Sequence, residues 1–550
     1  MRLKKLLTVV MIAALPATAL SACGAKTSTS EPPKAGETAA SPETETTGSK
    51  YKTTYGSKKF DNVTISVELF DRSNAPAGST ITDNKWTRYA QEQMAKVGIN
   101  VEYLPIPRTD EVPKMQTLMA TGESPDITVT YNYTFAEDYY NKGGTWDLSE
   151  FVDGDDQALN LKKYLGDKVL DMGRLPSGEL QGIVARRATT TNNNIVIRKD
   201  LFEEVGAAIP ATPEELRQVL LKIKEKYPQN TPYASFFCLH TGDNSACFRN
   251  NMALAFSKLG GDPKELDIAY NFDYYYDPGQ KDYFKWINKL YNEGLLDPEY
   301  YAQTTDSLHS DIVNGEVAFF ELNVNYNVDV LRGSLLKTLQ ENIPTADMVS
   351  IPTLKNVNDG SQYTVDYSPG GLIAFVPKTA TEEEVEACIT YLDWLATTEG
   401  GYTIYHGFEG EHFNLVDGVP VAKEPAYNAK DKDWIRTDLF LVGNQGYFAT
   451  EEDFIACTAK ENPDYEKYVL DNYHNATVGI RIITTPYSSP IEAELRTDLS
   501  VIAKEWVTTV ATCAPEEFDV NWDKWMSLAK DAGIQKILEE RKAHFEEVYK

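Results

Sequence analysis

The residues able to do acid–base or metal chemistry are few and poorly spaced for it. Six histidines occur: His240, His309, His406, His412, His474 and His544. None stands at zinc-ligand spacing from another, and His406 and His412 share a glycine-rich loop. There is no Gly-x-Ser-x-Gly elbow, no His-Glu-x-x-His pair and no phosphate-binding loop. Asp153-Gly154-Asp155-Asp156 is acidic, yet lacks the glycine and distal Glu of a calcium loop, so it reads as a solvated turn. No catalytic residue, metal or other cofactor is therefore assigned. Carboxylates are the exception. Two of them suffice for glycoside hydrolysis, and with 82 Asp and Glu such a pair is always available. A surface enzyme acting on glycans thus stays as the alternative to a binding protein.

Binding chemistry is easier to place, because the elements that would position it are legible. Val63, Ile65, Val67 and Leu69 alternate as in a half-buried strand. Trp86, Tyr89, Ala90, Met94 and Val97 share one helical face after a possible cap at Asp83, and Gly98 stops that helix. Ile99, Val101 and Tyr103 alternate again. A helix fits residues 110–121, with Met115, Leu118 and Met119 inward, and Ile127, Val129 and Tyr131 form a third strand. This is a βαβαβ unit, which predicts an α/β fold with a largely parallel sheet. Ligands sit beyond the carboxyl ends of such strands. That rule points to Asp71 and Arg72 after the first strand, and to Tyr131, Asn132 and Tyr133 at the end of the third.

Further on, Ile195–Ile197 is a short strand, and Leu201, Phe202 and Val205 begin a helix that Gly206 ends. Thr212-Pro213-Glu214-Glu215 is a helix start, with Thr212 as cap, Pro213 at the first position and Glu215 closing a capping box. Residues 230–310 read mainly as helices with aromatic inward faces, such as Tyr283, Trp286, Ile287 and Leu290. Val317–Phe320 is a strand ending in the polar run Glu321, Asn323, Asn325. Gly370–Val376 is a buried strand entered by two glycines. Thr381 and Glu384 cap a helix with Val385, Cys388, Ile389, Leu392 and Leu395 inward, and residues 489–550 are helical by periodicity. Arg186 and Arg187 precede a polar run, Thr189–Asn194, that fits a cleft wall and a solvated loop equally well.

The chain has 550 residues, 42% of them hydrophobic and 11% aromatic, enough for two cores. Its net charge of −29 argues against nucleic acid as a partner. Apart from Cys23 there are five cysteines, Cys238, Cys247, Cys388, Cys457 and Cys513, so at least one is unpaired within the chain. Arg2, Lys4 and Lys5 precede an apolar run, Leu6–Leu20, and small residues, the pattern of a secretory signal. Residues 24–50 hold no Val, Ile, Leu, Met, Phe, Tyr or Trp and cannot offset the entropy of ordering. The reading is a signal peptide at 1–22 and a disordered tether at 23–57.

Leu20-Ser21-Ala22-Cys23 resembles the lipobox of bacterial lipoproteins, which implies lipid attachment at Cys23 and anchoring at the extracellular face of the plasma membrane. Four further stretches resemble the extracellular solute-binding proteins of ABC importers, the large family that includes maltose-binding protein. They are Met119–Ile127; Ile197-Arg198-Lys199-Asp200-Leu201-Phe202 with Gly206, Pro210 and Thr212–Leu216; Gly315-Glu316-Val317-Ala318; and His406–Phe413 with Leu415–Pro420. The last is similar to a motif of a Gram-positive branch that binds complex carbohydrates.

The resemblance implies a two-lobe periplasmic-binding-protein fold with a ligand cleft between the lobes. It implies one lobe at 58–190 plus 352–395 and another at 191–351 plus 396–550. It also implies a monomer that captures an oligosaccharide and delivers it to permease subunits, with a sensor of the same fold as a further alternative. Matching family positions nominate Asp71, Arg72, Tyr131, Tyr133, Phe236, Phe237, Asn323, Asn325, Tyr326, Gly370 and Gly371. The branch motif adds Phe408 and His412, of which His412 is the better fit to ordering its own turn. In many branch members the helix after Thr-Pro-Glu-Glu leads into a calcium loop. Here Lys224–Pro232 lacks the carboxylates and glycine for one, so no calcium is expected there.

Overall fold

Val63–Asp71 and Ile99–Pro107 pair in parallel from end to end, and Val67 bridges Ile127 in the same sense. The computed structural model that shows this describes residues 49–550 apart from 176, 229–233, 237–250, 303–304, 329–333, 484–486 and 488–489. Cys23, Phe237, Cys238 and Cys247 lie outside the described residues, as does part of the stretch Lys224–Pro232. The helices Lys85–Lys96 and Glu111–Thr121 make the two crossovers. Asn84, not Asp83, caps the first: its Oδ1 accepts from the N–H of Trp86 (2.9 Å) and Thr87 (3.0 Å). Asp83 is taken by Arg88. Gly98 must be glycine, since its φ is +79° and a Cβ would lie 2.1 Å from the Phe60 carbonyl oxygen.

The parallel order ends with the third strand. Thr128–Thr130 pairs antiparallel with Gly370–Phe375, which pairs antiparallel with Ile183–Arg187; that strand runs parallel to Gly443–Asn444. The sheet is mixed because Gly370–Phe375 returns from the other half of the chain instead of arriving through a helical crossover. Behind it, Glu382–Leu395 opens with the Thr381/Glu384 capping box and is buried from Val385 to Leu395. Asp393 on this helix accepts from the N–H of Tyr55 (2.8 Å) and Leu161 (2.9 Å) and from the Asn160 amide (2.7 Å). Residues 51–55, placed in the tether by sequence, are thereby folded onto this core: Tyr51 is buried and stacks on Phe151 at 4.0 Å. The reason is compositional, since the apolar-free run stops at Lys50 and Tyr51 and Tyr55 supply surface to bury.

A second core surrounds the sheet Ala234–Phe236, Phe319–Asn323, Asn193–Arg198, Met348–Ile351, in that order. The central strand Asn193–Arg198 is antiparallel to both neighbours. Buried Arg198 forks onto Asp200 (2.8 and 2.7 Å) and donates to the Gly315 carbonyl (3.2 Å), tying two of the recognised sequence stretches together. Thr212 caps Pro213–Lys226 as expected, but Glu215 closes on the N–H of Ala211, one residue earlier than a standard box. Tyr283, Trp286, Ile287 and Leu290 face this core together with Trp522 and Trp525 of the C-terminal helices.

Ile404 and Trp434–Val442 pack into the first core; Leu354 packs into the second, and Tyr363 and Val365 form a small cluster with Leu254, Leu266 and Ile482. The sequence had placed both stretches on the opposite side, because helix and strand periodicity does not say which core a segment faces. The chain passes between the cores at 188–192, 366–369 and 445–450. The polar run Thr189–Asn194 is the first crossing, laced by Thr189 Oγ donating to Glu451 (2.5 Å) and the Tyr367 N–H donating to the Thr190 carbonyl (2.7 Å).

The last helix, Ile534–Val548, is pinned by buried charge. Arg541 and Glu492 are both 0% exposed and 3.1 Å apart. Arg541 also donates to the carbonyls of Ile268 (2.9 Å), Asp267 (2.6 Å) and Tyr487 (2.7 Å). Arg541→Ala takes the guanidinium away from buried Glu492 and from three carbonyls, and is expected to lower the protein's stability by about 3–5 kcal/mol. The check is the denaturant midpoint followed by tryptophan fluorescence, for which Trp522 and Trp525 report; an unchanged midpoint would refute the assignment.

Candidate functional site

A cleft of about 900 Å³ opens between elements of the two cores. The first core supplies Arg108, Glu111, Tyr131, Asn132, Tyr133 and Glu137; the second supplies Tyr270, Asn271, Tyr487, Glu492 and Arg496. Tyr131 and Tyr133, two of the expected residues, are thus in its wall. Tyr131 stacks on Phe70 (6.2 Å), lies under the Arg108 guanidinium (5.0 Å) and accepts a hydrogen bond from the Asn444 amide (2.9 Å). Tyr133 Oη donates to the Gly371 carbonyl (2.8 Å). Both rings are therefore oriented before any ligand arrives.

The two glycines have a packing role. A Cβ on Gly370 would lie 2.6 Å from Val184 and 3.1 Å from the Tyr133 hydroxyl, and one on Gly371 would lie 3.0 Å from Asn444. They make room for the residues that hold the tyrosines. Asp71 accepts from the N–H of Ser73 (2.8 Å), and Arg72 forks onto Asp438 (2.7–3.0 Å) instead of pairing with Asp71. Neither lines the cleft. Asn323 donates to Tyr367 Oη (3.1 Å) beside the crossings. Asn325 is buried at φ +65°, with Asn194 and Asn472 as partners, and Tyr326 packs on the adjacent hydrophobic cluster beside His309. The backbone of Phe236 pairs with Glu321.

The branch motif lies elsewhere. Phe408 stacks on Trp86 at 5.7 Å. His412 is fully buried; its Nδ1 accepts from the Phe408 N–H (3.0 Å), so Nε2 carries the proton and donates to Asp431 (2.9 Å). His412 orders its own turn, and neither residue lines the cleft.

Arg108, Glu111 and Glu137 were missed although one rule reaches the first: Arg108 follows the carboxyl end of Ile99–Pro107, a strand the alternation traced only to Tyr103. Tyr270 and Tyr487 sit in irregular segments with no periodic signal. Tyr487 is held by the Arg541 bond to its carbonyl and by stacking on His544 at 3.7 Å. Asn271, at φ +68°, carries a buried Oδ1 with no hydrogen-bond partner among the described residues.

Charge in the cleft is largely compensated. Arg108 donates to Glu111 (2.6 Å), Arg496 lies 3.5 Å from Glu492, and Asp138 holds Lys142 (2.6 Å). Burial raises the Glu137 carboxyl above its usual range. Among the described residues no group of three or more His, Cys, Asp or Glu could hold a metal ion. What the cleft offers is aromatic faces from both sides with amides, carboxylates and guanidinium groups between them, a surface for hydroxyl-rich rings.

A profile of bacterial extracellular solute-binding proteins matches residues 88–411. Lipoprotein LipO of Bacillus subtilis is 23% identical over 57% of this chain and 61% of its own length, so this chain spans less than two thirds of that relative. The polygalacturonan/rhamnogalacturonan-binding protein YtcQ of Bacillus subtilis is 20% identical over 84% of this chain and 87% of its own. An HMO-binding solute-binding protein associated with an ABC transporter, from Bifidobacterium longum infantis, superposes with a TM-score of 0.62. It covers 88% of this chain and 99% of that one at 14% identity. That likeness establishes the fold: two α/β lobes with a cleft between them.

In the first sheet, Glu68 is fully buried and accepts from the Val129 N–H (2.9 Å). Burial pushes its carboxyl from 4.5 to about 8. Between those values the native protein keeps a proton that the unfolded chain releases, so Glu68 costs stability increasingly as pH rises through that window. Glu68→Gln is expected to leave the thermal midpoint unchanged near pH 4 and raise it at pH 8. A variant that is no more stable than the parent at pH 8 would contradict this.

Proposed function

Because the chain belongs to the bacterial extracellular solute-binding proteins, we propose that it captures a carbohydrate, an oligosaccharide, between its lobes and delivers it to the permease of an ABC importer. The observation that carries the reading is the cleft wall: Tyr131 and Tyr133 from one lobe oppose Tyr270 and Tyr487 from the other. Rings from both sides can contact a sugar fully only when the lobes are closed. The ligand then shifts an open–closed equilibrium by its difference in affinity for the two states. Asn271 Oδ1, buried without a partner among the described residues, is an acceptor suited to a sugar hydroxyl.

The names of two relatives support the same class, since one binds polygalacturonan or rhamnogalacturonan and another binds HMO. LipO, a lipoprotein by name, supports lipid attachment at Cys23 and a place on the outer face of the plasma membrane. We assign residues 51–187 and 370–444 to one lobe, and 193–365 and 451–550 to the other. The reading includes no turnover. Of the carboxylates lining the cleft, Glu111 is held by Arg108, Glu492 by Arg541 and Asp138 by Lys142.

The test is thermal unfolding of the purified protein against neutral and acidic oligosaccharides and peptides, with recovery of the ligand. A sugar at about 100 times its Kd adds about 2.7 kcal/mol to the native state and raises the midpoint. It is expected to be recovered intact. Tyr487→Ala is expected to weaken binding about 10-fold. Cleavage products would replace this reading with a glycan hydrolase, and a rise with peptides alone would overturn the carbohydrate assignment.

A further inference from the structure

Four arginines around the cleft and the crossings are each paired with a carboxylate. Arg72 has Asp438, Arg108 has Glu111, Arg496 has Glu492, and Arg481, at the crossings, has Asp366. Arg187 differs. It is half-buried at the end of Ile183–Arg187, where the chain leaves the first sheet for the second. Its Nε donates to the Gly370 carbonyl (3.2 Å), Nη1 donates to Asn444 Oδ1 (3.2 Å), and the guanidinium lies 4.7 Å over the Tyr367 ring. A carbonyl, an amide and a ring orient this cation, and none of them neutralises it. Its neighbour Arg186 points to the opposite face of the strand and is capped by the carbonyls of Tyr164 (3.1 Å) and Ala449 (2.9 Å).

Arg187 is joined to the cleft wall through one residue. Asn444 accepts from Arg187 through Oδ1 and donates to the Tyr131 hydroxyl through Nδ2 (2.9 Å). On its other side, Tyr367 Oη accepts from Asn323 of the second lobe (3.1 Å). The guanidinium is not among the residues lining the cleft; it lies half-buried beside the Tyr131 wall on the hinge side, between polar groups of both lobes. A guanidinium has five N–H donors in a rigid fork. Two are used here, and Nη2 meets no protein acceptor among the described residues. Holding an uncompensated cation half out of water is costly. It is more so in a chain that has 82 acidic residues, none of which forms an ion pair with it among the described residues. A carboxylate arriving with the ligand would complete the fork.

We propose that Arg187 receives a carboxylate of the bound oligosaccharide, so that the ligand is a chain containing uronic acid. Its acid group is held at the hinge end while its rings and hydroxyls run along Tyr131, Tyr133, Tyr270 and Tyr487. This rests on the carbohydrate reading and narrows it to acidic sugars.

The experiment is calorimetric titration of the purified protein with trigalacturonate and trimannuronate, their fully methyl-esterified forms, and galactotriose. The esters keep ring and linkage while removing the charge. The intact protein is expected to bind one free acid at least about 10-fold tighter than its ester. Arg187→Gln is expected to abolish that preference, and Arg187→Lys to restore part of it. A circular dichroism melt of each variant establishes folding, and if Arg187→Gln fails to fold, the acid–ester ratios of the parent and Arg187→Lys decide. Equal binding of acid and ester, or binding of galactotriose alone, overturns the role of Arg187 and leaves the carbohydrate reading standing. An acid preference that survives in Arg187→Gln overturns it equally, since another group would then read the charge. Binding of no sugar at all would remove the carbohydrate reading and this inference together.

Discussion

Backbone that crosses from one core to another cannot leave its polar groups unpaired, and three crossings here must share one narrow waist. They do so through a single polar lattice. Glu451 accepts from Thr189 Oγ and from the N–H of Thr190 (3.2 Å). Arg481 reaches both Asp366 and Thr190 Oγ (2.7 Å). Thr191 and Asp366 pair as an isolated bridge. Burial pushes the Asp366 carboxyl up to about 6 even with Arg481 against it. The crossings are thus tied by side chains reaching between them, beside a small apolar cluster of Ala188, Val419, Phe448 and Cys457.

The cleft inherits its order from that waist. Gly370 and Gly371 begin the strand that returns through the second crossing, and their missing side chains admit Tyr133 and Asn444. Asn444 follows the strand Ile183–Arg187 in register and orients Tyr131. On the opposite wall, Tyr487 depends on the final helix through Arg541. Tyr131, Tyr133 and Tyr487 are each fixed by a polar group from a distant part of the chain. Such preorganisation lowers the entropy lost when a ligand binds.

Charge is handled the same way. Nearly every ionised group beside the cleft is matched within the protein, so a neutral ring face meets a quiet surface. The departure at Arg187 carries meaning because its surroundings are otherwise balanced. In a chain of net charge −29, a cation without an acid beside it marks a place the fold keeps positive.

The features legible in the residues alone are local. Alternation and helical periodicity placed the first three strands and the helices Lys85–Lys96, Glu111–Thr121 and Glu382–Leu395, because caps, left-handed glycines and apolar faces act within a few residues. One of the recognised stretches carries such a local lock, the fork of Arg198 onto Asp200 two residues on. Tertiary structure alone decided which way the return strand runs, which core receives 404–442, and which nominated residues reach the cleft. Tyr131 and Tyr133 do; Arg72, Asn325 and His412 are spent on Asp438, Asn472 and Asp431. Those partners lie from 19 to 366 residues away in sequence. Pairing over such distances is set by how whole elements pack, and no residue type or spacing announces it.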